Sequence, residues 1–235
     1  MTTKDESLLP KPATDPKLNI VVEAAVLTSL IVAVLSLFLF AWVGDGVAHK
    51  RTIGFDLAIR NQVHAHASPG LTKLMIAISF VGGDGLVVAV VLSVIAFCRL
   101  HWRRALLWMV VTILGAVVLD VSLKYAFHRP RPAPFFVDLP RTYSFPSGHS
   151  LFSFCFYGVL AGLLTRRISS RMGRILIWTF AALLVAAIGL SRVYLGVHYP
   201  SDVIAGYLAA SLWVSTLVTL DRMRIQRKNA SGPEA

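Results

Sequence analysis

Residues 105–127 read ALLWMVVTILGAVVLDVSLKYAF. The run is apolar for most of its length and comes close to the roughly 20 residues that cross a bilayer core. Apolar side chains occupy consecutive rather than alternate positions, which fits a helix and not a barrel strand. A helix also pairs its own backbone N–H and C=O groups, as hydrocarbon demands. Asp120, Ser122 and Lys124 gather near one end of this run, so that end meets water.

The same reading extends outward along the chain. Further apolar spans are expected at about Ile20–Val43, Gly83–Cys98, His149–Thr165, Ile175–Tyr194 and Val203–Leu220. With 56% hydrophobic and 15% charged residues, the composition is that of an integral membrane protein. The expected fold is all-α, a six-transmembrane-helix bundle. Residues 1–19 form an N-terminal tail, 20–220 the membrane domain and 221–235 a basic C-terminal tail. Between the first two spans, Gly44–Val81 mixes Lys50, Arg51, Asp56, Arg60 and Lys73 with Phe55, Leu57, Ile59, Leu74 and Ile76. That spacing predicts an interfacial amphipathic segment of one or two helices, and a short extra span through Leu71–Val81 fits as well. The first apolar run is too long for a signal-peptide core and is read as a retained span. Cys98 and Cys155 fall at different depths, so no disulfide is expected. Met1–Lys17 and Asn229–Ala235 read as disordered ends.

Basic residues orient the bundle. Arg99, Arg103 and Arg104 join spans two and three, Arg166, Arg167, Arg171 and Arg174 join four and five, and Arg222, Arg224, Arg227 and Lys228 follow span six. All three groups fall on one side, which the positive-inside rule assigns to the cytoplasm. Both termini are therefore expected to be cytoplasmic. The net charge of +11 reads as an orientation signal and not as a nucleic-acid footprint. Contact of these basic segments with anionic lipid is a weaker expectation.

Three polar clusters lie on the other side. Lys124 is at the exit of span three and is followed by Arg131-Pro132. Pro146-Ser147-Gly148-His149 opens span four. Ser191-Arg192 closes span five, and His198 with Asp202 opens span six. Alternating helix directions put all of them on one face, the extracytoplasmic one. Cations, two histidines and a carboxylate on one face suit the holding of a phosphate. A unit-charge contact at about 4 Å is worth on the order of 4 kcal/mol at an effective dielectric near 20, before desolvation.

Each residue also has an ordinary reading. Ser147 is placed as a helix N-cap, although a helix N-terminus is itself an anion site. Asp202 complements a helix dipole, and its position four residues after His198 also lets it hold the imidazole in one tautomer. Lys124, Arg131 and Arg192 fit interfacial snorkelling, yet cations are disfavoured on the outer face. Asp84 reads as a cap for span two, and Asp120 as the partner of Lys124, one turn away. His64 and His66 read as part of the interfacial segment rather than as a metal pair. Pro130, Pro132, Pro134, Pro140 and Pro146 stiffen a wall or lid over the face, and Phe135, Phe136, Tyr143 and Phe145 suit either a lipid entrance or an aromatic belt.

The segments Lys124–Pro132, Pro146–His149 and Ser191–Asp202 resemble the KxxxxxxRP, PSGH and SRxxxxxHxxxD motifs of the type 2 phosphatidic acid phosphatase family. All three match without substitution and in order, and the resemblance extends over about Phe55–Leu220. It implies a metal-independent phosphatase without a cofactor. It further implies that His198 attacks phosphorus to form a phosphohistidine, with Asp202 orienting it. His149 would protonate the leaving oxygen and later activate water. Lys124, Arg131, Ser147, the Gly148 N–H and Arg192 would hold the phosphoryl oxygens.

A site at the membrane boundary favours a lipid phosphate substrate: undecaprenyl diphosphate, phosphatidylglycerol phosphate or phosphatidic acid. The compact loops suit a bacterial plasma-membrane enzyme acting on the extracytoplasmic face. Two alternatives stand beside it: a lipid phosphotransferase drawing on a polyprenyl diphosphate, which the same phosphohistidine would serve and which acceptor assays separate, and a non-enzymatic anion transporter. The transporter would need polar residues through the bilayer midplane, and most of the spans lack them. A vanadium haloperoxidase shares the pocket type but has little use for a lipid setting. Oligomeric state is not legible.

Overall fold

A computed structural model describes residues 16–231. Among these residues eight helices follow one another: α1 (Pro16–Ala48), α2 (Ile53–Ala65), α3 (Pro69–Val81), α4 (Asp84–Arg99), α5 (Arg103–Phe127), α6 (Gly148–Thr165), α7 (Arg171–Tyr194) and α8 (Pro200–Ser231). Among the described residues, six stretches are long and apolar enough to cross a membrane. Phe38, Val87, Leu114 and Phe180 point outward and are more than half exposed. That is the inverse of a water-soluble surface and the expected one for a lipid-facing wall.

α6 is the centre of the bundle, packed against α5, α7 and α8, and α1 lies along α8. Ser29 Oγ pairs with Thr219 Oγ1 at 2.8 Å, and Ser36 Oγ donates to Ser211 Oγ at 2.9 Å, so α1 and α8 run antiparallel. Hydroxyls in hydrocarbon bond across helices because no water competes, each pair contributing about 0.6 kcal/mol. Met109, fully buried on α5, packs with Leu86 and Phe97 of α4 and with Phe156 and Val159 of α6. At the end of the bundle away from the polar clusters, Arg104 Nη2 donates to both oxygens of Asp221, at 2.8 and 2.6 Å.

The expected interfacial segment divides differently from the sequence reading. Gly44–Ala48 continue α1, and α2 alone is the amphipathic helix. α3 is apolar, capped by Ser68, whose hydroxyl accepts from Leu71 N at 3.4 Å, with Pro69 opening the helix. It joins α4 across Gly82-Gly83, so the second apolar stretch runs over Pro69–Arg99 and not from Gly83 alone. Asp84 is the first residue of α4, with Gly83 in the cap position. Of the ends expected to be disordered, residues 1–15 and 232–235 lie outside the described residues. α1 and α8 run through 16–17 and 229–231. Cys98 and Cys155 are free.

Met109→Ala is expected to lower the thermal midpoint in detergent, with a loss of roughly 2–3 kcal/mol from the cavity left behind. An unchanged midpoint would mean that the contact of α4, α5 and α6 is not a stability determinant.

Candidate active site

The ends of four helices and the loop 128–147 converge at one end of the bundle. His198 sits in the short turn between α7 and α8 and is almost wholly buried. Its Nδ1 lies 3.4 Å from Asp202 Oδ2, one turn along the chain. Its Nε2 lies 2.8 Å from Arg131 Nη1. A guanidinium can only donate, so Nε2 is the accepting nitrogen and the ring proton is on Nδ1, facing the carboxylate. Burial outweighs the Asp202 contact and pushes the His198 pKa down to about 4. The ring is thus neutral at ordinary pH, with its lone pair directed at an arginine.

Arg131 is held from the loop. Its Nε donates to Thr142 O at 2.7 Å, its Nη2 to Thr142 Oγ1 at 2.9 Å, and its Nη1 also to Val197 O at 3.0 Å. Burial lowers its pKa, offset in part by the nearby charges of Asp202 and Asp120. Lys124, in the last turn of α5, donates to Asp120 Oδ2 at 2.8 Å. Both side chains are largely buried, which is not the fate of a snorkelling pair. A Cβ on Gly148 would stand 3.0 Å from Asp120 Oδ1 and 3.3 Å from Lys124 Nζ. The start of α6 therefore lies directly against the lysine, with little room for a side chain at Gly148.

Ser147 takes the N-cap position of α6 without using its hydroxyl as a cap. The Oγ accepts from Ser150 Oγ at 3.1 Å, leaving its own proton to donate. Ser147 N donates to the backbone carbonyl of Asp202 at 2.9 Å, which joins the second and third clusters directly. Arg192, buried in the last turn of α7, donates through Nη1 to Ser79 Oγ of α3, while its Nε has no partner. His149 lies within the field of Arg192, His198, Arg131 and Lys124. Its Nε2 presses on the break between α3 and α4, where a Cβ on Gly83 would come within 2.8 Å.

Several residues here were not expected from sequence. Asp202 Oδ2 accepts from Ser144 Oγ and from Tyr199 N at 2.9 Å, and its Oδ1 accepts from Arg129 Nη1 at 2.6 Å. Arg129 Nη1 also donates to Ser201 Oγ at 2.8 Å, and its Nη2 to Asp56 Oδ2 of α2 at 2.7 Å. Asp56 is wholly buried and also accepts from Ser201 N at 2.9 Å and Ser201 Oγ at 2.7 Å. The two carboxylates thus flank one guanidinium beneath the imidazole.

Two aromatic residues of the loop, Phe145 and Phe135, differ from expectation. Phe145 is fully buried and packs on Phe40 and Phe127, so it belongs to the core and not to a lipid entrance. Phe135 stacks on His64 at 3.8 Å between ring centroids and lies under the Arg60 guanidinium. Arg60 also donates to Ala133 O, so α2 clamps the loop. Among the described residues, no group of three His, Cys, Asp or Glu side chains is placed to hold a metal ion.

These features define a multi-pass helical membrane protein that collects cations and a buried His–Asp pair at one end. Residues 105–226, just over half of the chain, match the model of the PAP2 superfamily. The chain is 30% identical over 180 residues to phosphatidylglycerophosphatase B of Bacillus subtilis, across 73% of this chain and 86% of that protein. It is 29% identical over 177 residues to an undecaprenyl-diphosphatase of Sulfolobus acidocaldarius, across 73% of this chain and 80% of the relative. The crystal structure of a transmembrane PAP2-type phosphatidylglycerolphosphate phosphatase from Bacillus subtilis superimposes with a TM-score of 0.73 at 26% identity, covering 83% of this chain and 98% of that one. The chain belongs to the PAP2 superfamily, among its membrane-bound lipid phosphatases.

Gly83→Ala is expected to push the His149 ring aside without unfolding the bundle. Turnover of a phosphate ester should fall roughly 10- to 100-fold, while the thermal midpoint stays close to that of the unaltered protein. A full-rate Gly83→Ala enzyme would show that the His149 position is not critical.

Proposed function

We propose that the chain hydrolyses the phosphate or diphosphate headgroup of a membrane lipid on the extracytoplasmic face, through a phosphohistidine on His198. The observation that carries this reading is the neutral His198 imidazole, with Nδ1 toward Asp202 and the Nε2 lone pair toward Arg131. A phosphate entering beside Arg131 would draw the guanidinium onto its oxygens and free the lone pair. The fork of an arginine suits two phosphoryl oxygens, and the lysine adds a point charge.

In the first step the Nε2 lone pair forms a bond to phosphorus while the bond to the leaving oxygen breaks. His149, in its imidazolium form, gives that oxygen a proton. The negative headgroup offsets the cations of Lys124, Arg131 and Arg192 around His149 and so supports the protonated ring. Asp202 balances the positive charge that develops on His198. In the second step neutral His149 takes a proton from water as the oxygen attacks phosphorus. The P–N bond breaks, its electrons return to Nε2, and inorganic phosphate leaves. Arg131, Arg192, Ser147 and the Gly148 N–H hold the equatorial oxygens through both steps.

The relatives' names point to undecaprenyl diphosphate and phosphatidylglycerol phosphate as substrates, with phosphatidic acid as a third candidate. The basic ends at Arg103, Arg104, Arg166 and Arg222 support a cytoplasmic placement of the opposite end and of both termini, in a bacterial plasma membrane.

Purified protein is expected to release phosphate from these lipids in the presence of a chelator. His198→Ala should lose activity by on the order of 10³-fold or more, and near-normal rates would exclude His198 as the nucleophile. The imidazole must be neutral to attack. Because its pKa is depressed to about 4, kcat/KM should hold as pH falls below the ordinary histidine range and drop only near pH 4. An acid limb at the ordinary histidine value, near 6.5, would overturn the buried-imidazole reading. Vanadate, a five-coordinate phosphorus mimic, should inhibit competitively. A reporter fused after Ala235 should lie in the cytoplasm.

A further inference from the structure

The buried carboxylate of Asp56 has no place in the two-step reaction, yet only two residues, Arg129 and Asp202, stand between it and the nucleophile. Arg129 divides its fork, giving Nη1 to Asp202 Oδ1 at 2.6 Å and Nη2 to Asp56 Oδ2 at 2.7 Å. Both acids are wholly buried, and the arginine is nearly so. Buried ion networks seldom improve on apolar packing of the same volume for stability alone. Their charge has a stronger claim to a chemical role when one member touches a reacting group.

The charges set the role. Asp202 alone carries one negative charge, and Arg129 alone would cancel it, leaving a neutral pair beside His198. Asp56 restores a net charge of minus one. We propose that Arg129 and Asp56 are positioning residues for His198: Arg129 fixes the Asp202 carboxylate, and Asp56 offsets Arg129 so that the Asp202 charge remains available to the imidazole. Phosphohistidine formation leaves positive charge on the ring, so this reserve acts where charge develops. The proposal rests on the reading of His198 as nucleophile.

The other groups facing His198 are known and can be held constant. Asp202 comes from α8, Arg131 and Ser144 from the loop, Arg192 from α7 and His149 from α6. Each of these residues keeps its identity and charge in variants at Asp56 and Arg129. Asp56 is also how α2 reaches the site. Its neighbours Phe55 and Ile59 are exposed on the outer side of the same helix, while Asp56 and Arg60 turn inward to Arg129 and to the loop.

The test is the acid limb of kcat/KM, measured by brief phosphate-release assays from phosphatidylglycerol phosphate in vesicles with the full chain. Asp56→Asn removes a negative charge, so the imidazole binds its proton less tightly and the limb moves to lower pH. Arg129→Gln removes a positive charge and moves it to higher pH. Each shift is expected to be about one pH unit. The double variant restores the net charge and should bring the limb back toward that of the unaltered protein, with a lower kcat. Arg129→Lys keeps the charge but loses the fork, so the limb should stay in place while kcat falls. It also serves if the neutral variants fold poorly, because a moved limb in Arg129→Lys would contradict the charge assignment. Loss of kcat in both single variants with no opposed shifts would reduce the network to a structural staple and overturn the proposal. Failure of the underlying reading looks different, since a fully active His198→Ala enzyme removes the nucleophile itself.

Discussion

The carboxylate of Asp202 is the group on which the site end of this protein depends. It lies in the first turn of α8, wholly buried, and it is tied to several parts of the chain. Oδ2 accepts from the Ser144 hydroxyl of the loop and from Tyr199 N at the start of its own helix, and Oδ1 accepts from Arg129. The backbone carbonyl of the same residue accepts from Ser147 N and so fixes the origin of α6. A buried charge is tolerated only where such donors surround it. The bonds of this one residue therefore join α6, α8 and the 128–147 loop, with α2 linked through Arg129 and Asp56, and the imidazole of His198 is held beside them.

Much of this was legible from sequence, and the reason is the bilayer. Hydrocarbon keeps polar side chains at helix ends, so Lys124, His149, Arg192, His198 and Asp202 could be assigned to one face by counting spans. The pairing of Asp120 with Lys124 followed from one helical turn. Arg129 was less visible. It stands two residues before Arg131 among prolines, and the argument that outer-face cations require an explanation applied to both. Asp56 gave no signal. On an amphipathic helix with Lys50, Arg51 and Arg60 nearby, an acid looks water-facing, and only the folded chain brings it to Arg129, 73 residues away.

The boundary between α3 and α4 has a similar origin. Gly82-Gly83 reads as punctuation, and a span beginning after it is a reasonable expectation. The glycines instead allow close approach, since side chains there would collide with Ile188 and His149. The break lets α3 lean on α7, with Thr72 Oγ1 2.8 Å from the Tyr194 hydroxyl and Ser79 meeting Arg192. An apolar helix that looked like an optional extra span is a wall of the site.

The resting geometry also bears on why such a pocket would take an anion in place of water. Arg131 Nη1 occupies the Nε2 lone pair of His198, and Arg192 retains a buried Nε without a partner. An uncharged ligand offers Arg131 too little to leave the imidazole. A phosphoryl group compensates both arginines at once, and charge-assisted bonds are roughly twice as strong as neutral ones. In the proposed reaction, binding of the headgroup and exposure of the nucleophile are therefore one event. Under that proposal the lone pair would be unmasked only with phosphorus beside it to attack.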